Sequence, residues 1–175
     1  MMLLIEGTDG LGKTTLAKKL QRELQSAYVH YGPLPEWWRE PHYVTRCLNH
    51  AVYDRYHWSC WAYADVHPQP WRATVEICCG IDHALSLRNN GRYSSVLVYS
   101  SGKQWLKKNI VPKDEMFNIK QILEVNDRYS TVMEHFDFVW DVARCGWPNA
   151  EEIANATIRQ WRDLDRGRER TTSIA

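Results

Sequence analysis

The sequence predicts an α/β fold, a five-stranded parallel sheet with helices on both faces. Two observations carry that expectation. Short apolar runs alternate along the chain with longer stretches whose apolar residues recur at helical spacing, the order expected of repeated β-α units. One run, Ser95-Val96-Leu97-Val98-Tyr99, has a continuous apolar centre, as in a strand buried on both faces.

The first strand spans Leu3 to Glu6 and ends in a glycine-rich turn, after which Leu16, Ala17, Leu20 and Leu24 share one helical face. A second strand is predicted at Tyr28 to Tyr31, stopped by Gly32-Pro33. An aromatic, proline-containing segment with Pro35, Trp37, Trp38 and Pro41 follows and is expected to line or cover a cleft. Ala51 to Tyr53 forms the third strand and Trp58 to Asp65 a helix, which stops at His67-Pro68-Gln69-Pro70. A further helix is expected from Trp71 to Arg88, terminated by Asn89-Asn90-Gly91, before strand four at 95–99. After a polar, lysine-bearing stretch from Ser100 to Lys113, the residues Ile119, Ile122, Leu123, Asn126, Tyr129 and Met133 mark a helical stripe. The fifth strand is placed at Phe136 to Ala143. Asn149 with Glu152 three residues on is a capping-box pattern opening the last helix, through Ile153, Thr157, Trp161 and Leu164. The sequence predicts one domain over 1–165 and a solvated, frayed tail over 166–175.

Composition narrows the function classes. With 175 residues, 44% of them hydrophobic, the chain can bury a core without metal or disulfide staples. A net charge of +1 gives no global basic field of the kind a dedicated nucleic-acid binder carries. The five cysteines form no C-x-x-C pair and no zinc-like spacing, and an odd thiol count fits a reducing compartment. No apolar run approaches membrane-spanning length and no signal-peptide pattern opens the chain, so a soluble cytoplasmic protein is expected. Most of the nine tryptophans are expected in the core or lining a cleft.

Gly7-Thr8-Asp9-Gly10-Leu11-Gly12-Lys13-Thr14 fills every fixed position of G-x-x-x-x-G-K-[ST], between a predicted strand and a predicted helix. Gly7, Gly10 and Gly12 let the backbone curl so that N–H groups face phosphate oxygens, and the helix opening at Lys13, Thr14 and Thr15 sets its positive end beneath them. Lys13 reaches the β/γ-phosphates, and the Thr14 hydroxyl is placed for Mg²⁺. The pattern predicts a P-loop NTPase fold that binds ATP, without separating kinases from GTPases or ATPases.

Two stretches resemble the thymidylate kinase family of nucleoside-monophosphate kinases. Glu6 to Thr15 is similar to that family's E-G-x-[DE]-G-x-G-K-[ST]-T, with an acidic residue inside the phosphate loop. Asp54-Arg55-Tyr56-His57-Trp58-Ser59-Cys60-Trp61-Ala62-Tyr63 is similar to its D-R-Y-x-x-S-x-x-A-Y. The resemblance implies phosphoryl transfer from ATP to a deoxynucleoside monophosphate. It implies that Asp9 meets the acceptor sugar hydroxyl, that Arg55 holds the acceptor phosphate, and that Asp54 orders Mg²⁺ or its waters. Tyr63, with Trp58 or Tyr31, would stack on the acceptor base, and Arg144 or Trp147 on adenine. Gly80-Ile81-Asp82 faintly resembles a family segment beside the base pocket. Catalytic roles thus fall on Lys13, Asp54, Arg55 and Asp9.

The departure lies in the lid near 100–116, where such proteins carry arginines. Here Lys103, Lys107, Lys108 and Lys113 stand in that stretch without an arginine, and Arg128 on the next helix is a further candidate. Two alternatives stay open: a P-loop kinase of a nucleoside or of a modified base in DNA, and a non-catalytic nucleotide-binding module acting through a partner. A homodimer is compatible with either.

Overall fold

Strand β1 (Met2–Gly7) runs through the middle of a five-stranded sheet of order β2-β3-β1-β4-β5. The others are β2 (Ala27–His30), β3 (Ala51–Asp54), β4 (Tyr93–Tyr99) and β5 (Phe138–Asp141), and every adjacent pair is parallel. The computed structural model describes residues 1–30, 40–66, 73–110 and 117–172, with the backbone alone at Glu40 and 167–172. Tyr31, the segment with Trp37 and Trp38, the 67–70 break, Trp71 and Lys113 lie outside the described residues.

Alternation along the strands divides the core in two. Met2, Leu4, Ala51, Tyr53 and Leu97 face one layer, and Leu3, Ile5, Val52, Val96 and Val98 the other. The first layer takes α2 (Glu40–Thr45), α3 (His57–Ala62), α4 (Val75–Arg88) and part of α6 (Ile119–Ser130). Leu16, Ala17 and Leu20 of α1 (Lys13–Glu23), Leu106 of α5 (Lys103–Asn109) and Ile153, Ala154 and Trp161 of α8 (Ala150–Thr172) fill the second. Each fully buried leucine of this kind contributes roughly 1.5–3 kcal/mol. The apolar centre of β4 is closed on both sides, as its composition requires.

Several boundaries differ from the sequence expectation. Helix α4 starts at Val75, because the Thr74 hydroxyl accepts the Ile77 N–H at 3.3 Å and caps the first turn there. Thr74→Ala is expected to lower stability by about 1 kcal/mol, read from the urea midpoint. Strand β5 is shorter than predicted at both ends. Asp137 turns its carboxylate to the Ser95 N–H and hydroxyl, and Asp141 accepts the Ala143 N–H, opening the short helix α7 (Val142–Cys145). Met133 leaves the α6 stripe for a 3-10 turn, Met133–His135. Helix α8 continues to Thr172, where a frayed tail was expected from Arg166; the Arg166–Asp163 pair at 3.7 Å lies along it.

Candidate active site

The glycine loop leaves β1 at the C-terminal edge of the sheet, where an open parallel sheet offers its ligand crevice. Gly7 has φ +135°, and a Cβ there would stand 1.9 Å from the Val98 carbonyl oxygen, so only glycine lets the chain turn over β4. Gly12, at φ +79°, is the N-cap of α1 and supplies no side-chain cap. The first-turn N–H groups thus lack a side-chain partner, the arrangement that receives an anion. Thr14 and Thr15 sit exposed in that first turn.

Lys13 is 4% exposed and donates to the Thr8 carbonyl at 2.7 Å, with Asp9 Oδ1 at 3.3 Å. Burial holds its pKa below the ordinary lysine value, and the Asp9 charge acts against that shift. Asp9 also pairs with the Arg55 guanidinium. Arg55 itself has φ +68°, an uncommon backbone conformation for a side chain of this size. That conformation follows directly on β3, with the Arg55 N–H bonded to the Ile5 carbonyl at 2.9 Å, and the guanidinium lies 5.6 Å from the centre of the Tyr63 ring. The two sequence motifs therefore meet through Lys13–Asp9–Arg55.

Burial pushes the Asp9 carboxyl up, but the Lys13 and Arg55 charges outweigh it and hold the group below its ordinary 3.8. A carboxyl lowered in the folded state contributes stability that is present above its unfolded pKa and is lost as pH falls through its folded one. The stability of the wild type relative to Asp9→Asn is expected to shrink as pH falls below 3.8, measured by urea unfolding at stepped pH.

Asp54 is fully buried. Its Oδ2 accepts the Thr14 hydroxyl at 2.6 Å and the Tyr28 hydroxyl at 3.1 Å and lies 3.1 Å from His30 Nδ1, while Oδ1 is buried without a hydrogen-bond partner. A carboxylate oxygen left open beside a threonine hydroxyl fits a hard cation with oxygen ligands such as Mg²⁺. Among the described residues no group of three or more His, Cys, Asp or Glu could hold a metal. An ion shared with phosphate oxygens does not require such a group.

Two further buried groups hold the loop, and motif reading gave them no role. Glu6 accepts from the Tyr56 N–H at 2.7 Å, the Ser59 hydroxyl at 2.6 Å and the Tyr129 hydroxyl at 3.0 Å, tying β1 to α3 and α6. Asn126 accepts the Thr8 hydroxyl at 3.1 Å and the Ser100 N–H at 3.0 Å and donates to the Ser100 carbonyl at 2.8 Å. Its signal in the sequence was a polar residue on the apolar stripe of α6.

Other expected site residues are placed differently. Trp58 is not free to stack on a base: it is fully buried, its ring stacked on His135 and its Nε1 donating to Asp82 at 2.8 Å. Asp82 also accepts the Tyr93 hydroxyl and has His57 Nε2 at 3.0 Å, so this carboxylate anchors the core. Tyr63 is buried, its hydroxyl 3.5 Å from the Gly7 carbonyl and its ring against Phe117 and Arg55.

In the described part of the lid, Lys103 pairs with Asp127 at 2.5 Å, and Lys107 and Lys108 are exposed. Arg128 bonds Asp65 at 2.5 Å and covers the Trp61 ring. Arg144 is exposed, with Nε 3.5 Å from Asp141. Trp147 lies over Gly12, edge-on to Trp105 of α5.

A five-stranded parallel sheet of this order, covered on both faces and opening into a glycine loop after β1, is the P-loop NTPase fold. Within that class the chain is similar to the YorR protein from Bacillus subtilis, solved in complex with phosphorylated GDP. The TM-score is 0.69 at 21% identity, over 95% of this chain and 98% of that one. It is also similar to deoxyadenosine kinase from M. mycoides, solved with the products dCMP and a flexible dCDP. Here the TM-score is 0.51 at 14% identity, over 94% of this chain and 100% of that one. The same enzyme solved with bound dATP gives 0.50 at 17% identity, over 89% and 98%. These likenesses establish the fold. No family model and no curated protein matches the chain. Among the described residues, no helix is long and apolar enough to cross a membrane.

Proposed function

We propose that the chain transfers the γ-phosphoryl group of ATP to the phosphate of a deoxynucleoside monophosphate, in the manner of thymidylate kinases. The observation that carries this reading is the convergence of the two motifs on one spot. Thr14 is bonded to Asp54, and Arg55, bent back by its left-handed backbone, reaches Asp9 inside the phosphate loop.

In the reaction an acceptor phosphate oxygen attacks the γ-phosphorus, the bond to the β,γ-bridging oxygen breaks, and ADP leaves. The loop N–H groups and Lys13 bind the triphosphate and oppose charge developing on the bridging oxygen. Arg55 exchanges part of its pairing with Asp9 for the acceptor phosphate, and Asp9 keeps an oxygen for the acceptor sugar hydroxyl. Thr14 and Asp54 would hold Mg²⁺, which supplies charge neutralisation across the phosphates when bound. On this reading the kinase domain spans 1–165, with a short lid near 100–116 and a tail at 166–175.

Transfer to a hydroxyl, of a nucleoside or of a modified base in DNA, is favoured by one observation. The Arg55 guanidinium is already neutralised by Asp9, and the described lid residues carry no arginine to share an acceptor phosphate. An ADP-release assay across nucleoside monophosphates, nucleosides and oligonucleotides separates the readings. Turnover dependent on a monophosphate supports the first, and turnover with nucleosides or DNA alone replaces it with the second.

A further inference from the structure

The Asp54 carboxylate is loaded on one side only. Three groups crowd Oδ2: Thr14 at 2.6 Å, Tyr28 at 3.1 Å and His30 at 3.1 Å, while the equally buried Oδ1 has none. An isolated buried carboxylate would lower its free energy by sharing donors between both oxygens, since each orphaned buried acceptor is costly.

The lopsided loading is built by the sheet. In the β2–β3 register His30 lies opposite Asp54 and Tyr28 opposite Val52, so the two residues, spaced by two, share the face on which Asp54 meets Thr14 of α1. Lys18 of α1 stands 5.8 Å from the centre of the Tyr28 ring. Against a carboxylate oxygen only a protonated ring nitrogen makes a hydrogen bond, so His30 Nδ1 carries the hydrogen.

We propose that Tyr28 and His30 are positioning residues for the divalent cation: they pin Asp54 through Oδ2 and so leave Oδ1 free to serve the ion. This rests on the reading of Thr14 and Asp54 as the cation's residues. It gives the edge strand β2, whose sequence carries no motif, a defined part in metal binding. Groups that orient a carboxylate in this way typically affect metal affinity about 10- to 100-fold.

The test is binding of a non-hydrolysable ATP analogue by calorimetry, with Mg²⁺ and with EDTA, together with Mn²⁺ affinity of the analogue complex from the free-Mn²⁺ electron paramagnetic resonance signal. Tyr28→Phe and His30→Ala are each expected to weaken Mn²⁺ binding about tenfold and to leave analogue affinity in EDTA at the wild-type value, which also certifies folding. His30→Asn, whose amide nitrogen replaces Nδ1 as donor, is expected to restore Mn²⁺ affinity. Wild-type Mn²⁺ affinity in both Tyr28→Phe and His30→Ala overturns the proposal alone. A wild-type protein whose analogue binding ignores the cation overturns it together with the reading of Thr14 and Asp54.

Discussion

Lys13→Ala is expected to lower kcat by about 10²- to 10³-fold while ATP affinity changes far less. The ammonium is held in a buried pocket by the Thr8 carbonyl and by Asp9, so it is oriented before any nucleotide arrives. In such a place a charge acts through a lower effective dielectric and needs no reorganisation as the bridging oxygen gains charge. The loop N–H groups remain to bind the ground state. Lys13→Arg is expected to rescue little, because a planar fork does not fit a pocket built for a point charge. Single-turnover and steady-state kinetics with calorimetric ATP binding check this, and an unchanged kcat would remove Lys13 from the chemistry.

The second large effect is expected at Arg55. Arg55→Ala should reduce kcat/KM for the acceptor by roughly 100-fold, with ATP binding within a few-fold of wild type. The guanidinium stands about one third exposed, so one flank is open while the other is tied to Asp9. Asp9 retains Lys13 in this variant, so the phosphate loop keeps its internal pair. Equal losses of acceptor use and ATP binding would show instead that Arg55 merely props the loop.

How far the sequence disclosed this arrangement depends on the range of the forces involved. Strands β1 and β4 were legible because burial on both faces leaves an unbroken apolar run, and the phosphate loop because its glycines answer local backbone demands. Gly7 illustrates the latter, since any Cβ would meet the Val98 carbonyl. Helices α2 and α7 were not legible, being too short to show a period. Trp58 was misplaced for a different reason. Its position in the motif suggested a base stack, whereas its surroundings are set by His135, Phe136 and Asp82, which come from distant parts of the chain. Glu6 was visible as a motif letter without a function until Tyr56, Ser59 and Tyr129 gathered on it. The same holds for Tyr28 and His30, whose convergence on Asp54 depends on strand register.

The most direct test of phosphoryl transfer follows the label itself. With γ-³²P-labelled ATP, Mg²⁺ and each common deoxynucleoside monophosphate in turn, phosphoryl transfer to an acceptor phosphate predicts radioactive nucleoside diphosphate that requires Lys13 and Arg55. Label appearing only as inorganic phosphate, with every monophosphate left unlabelled, would contradict it.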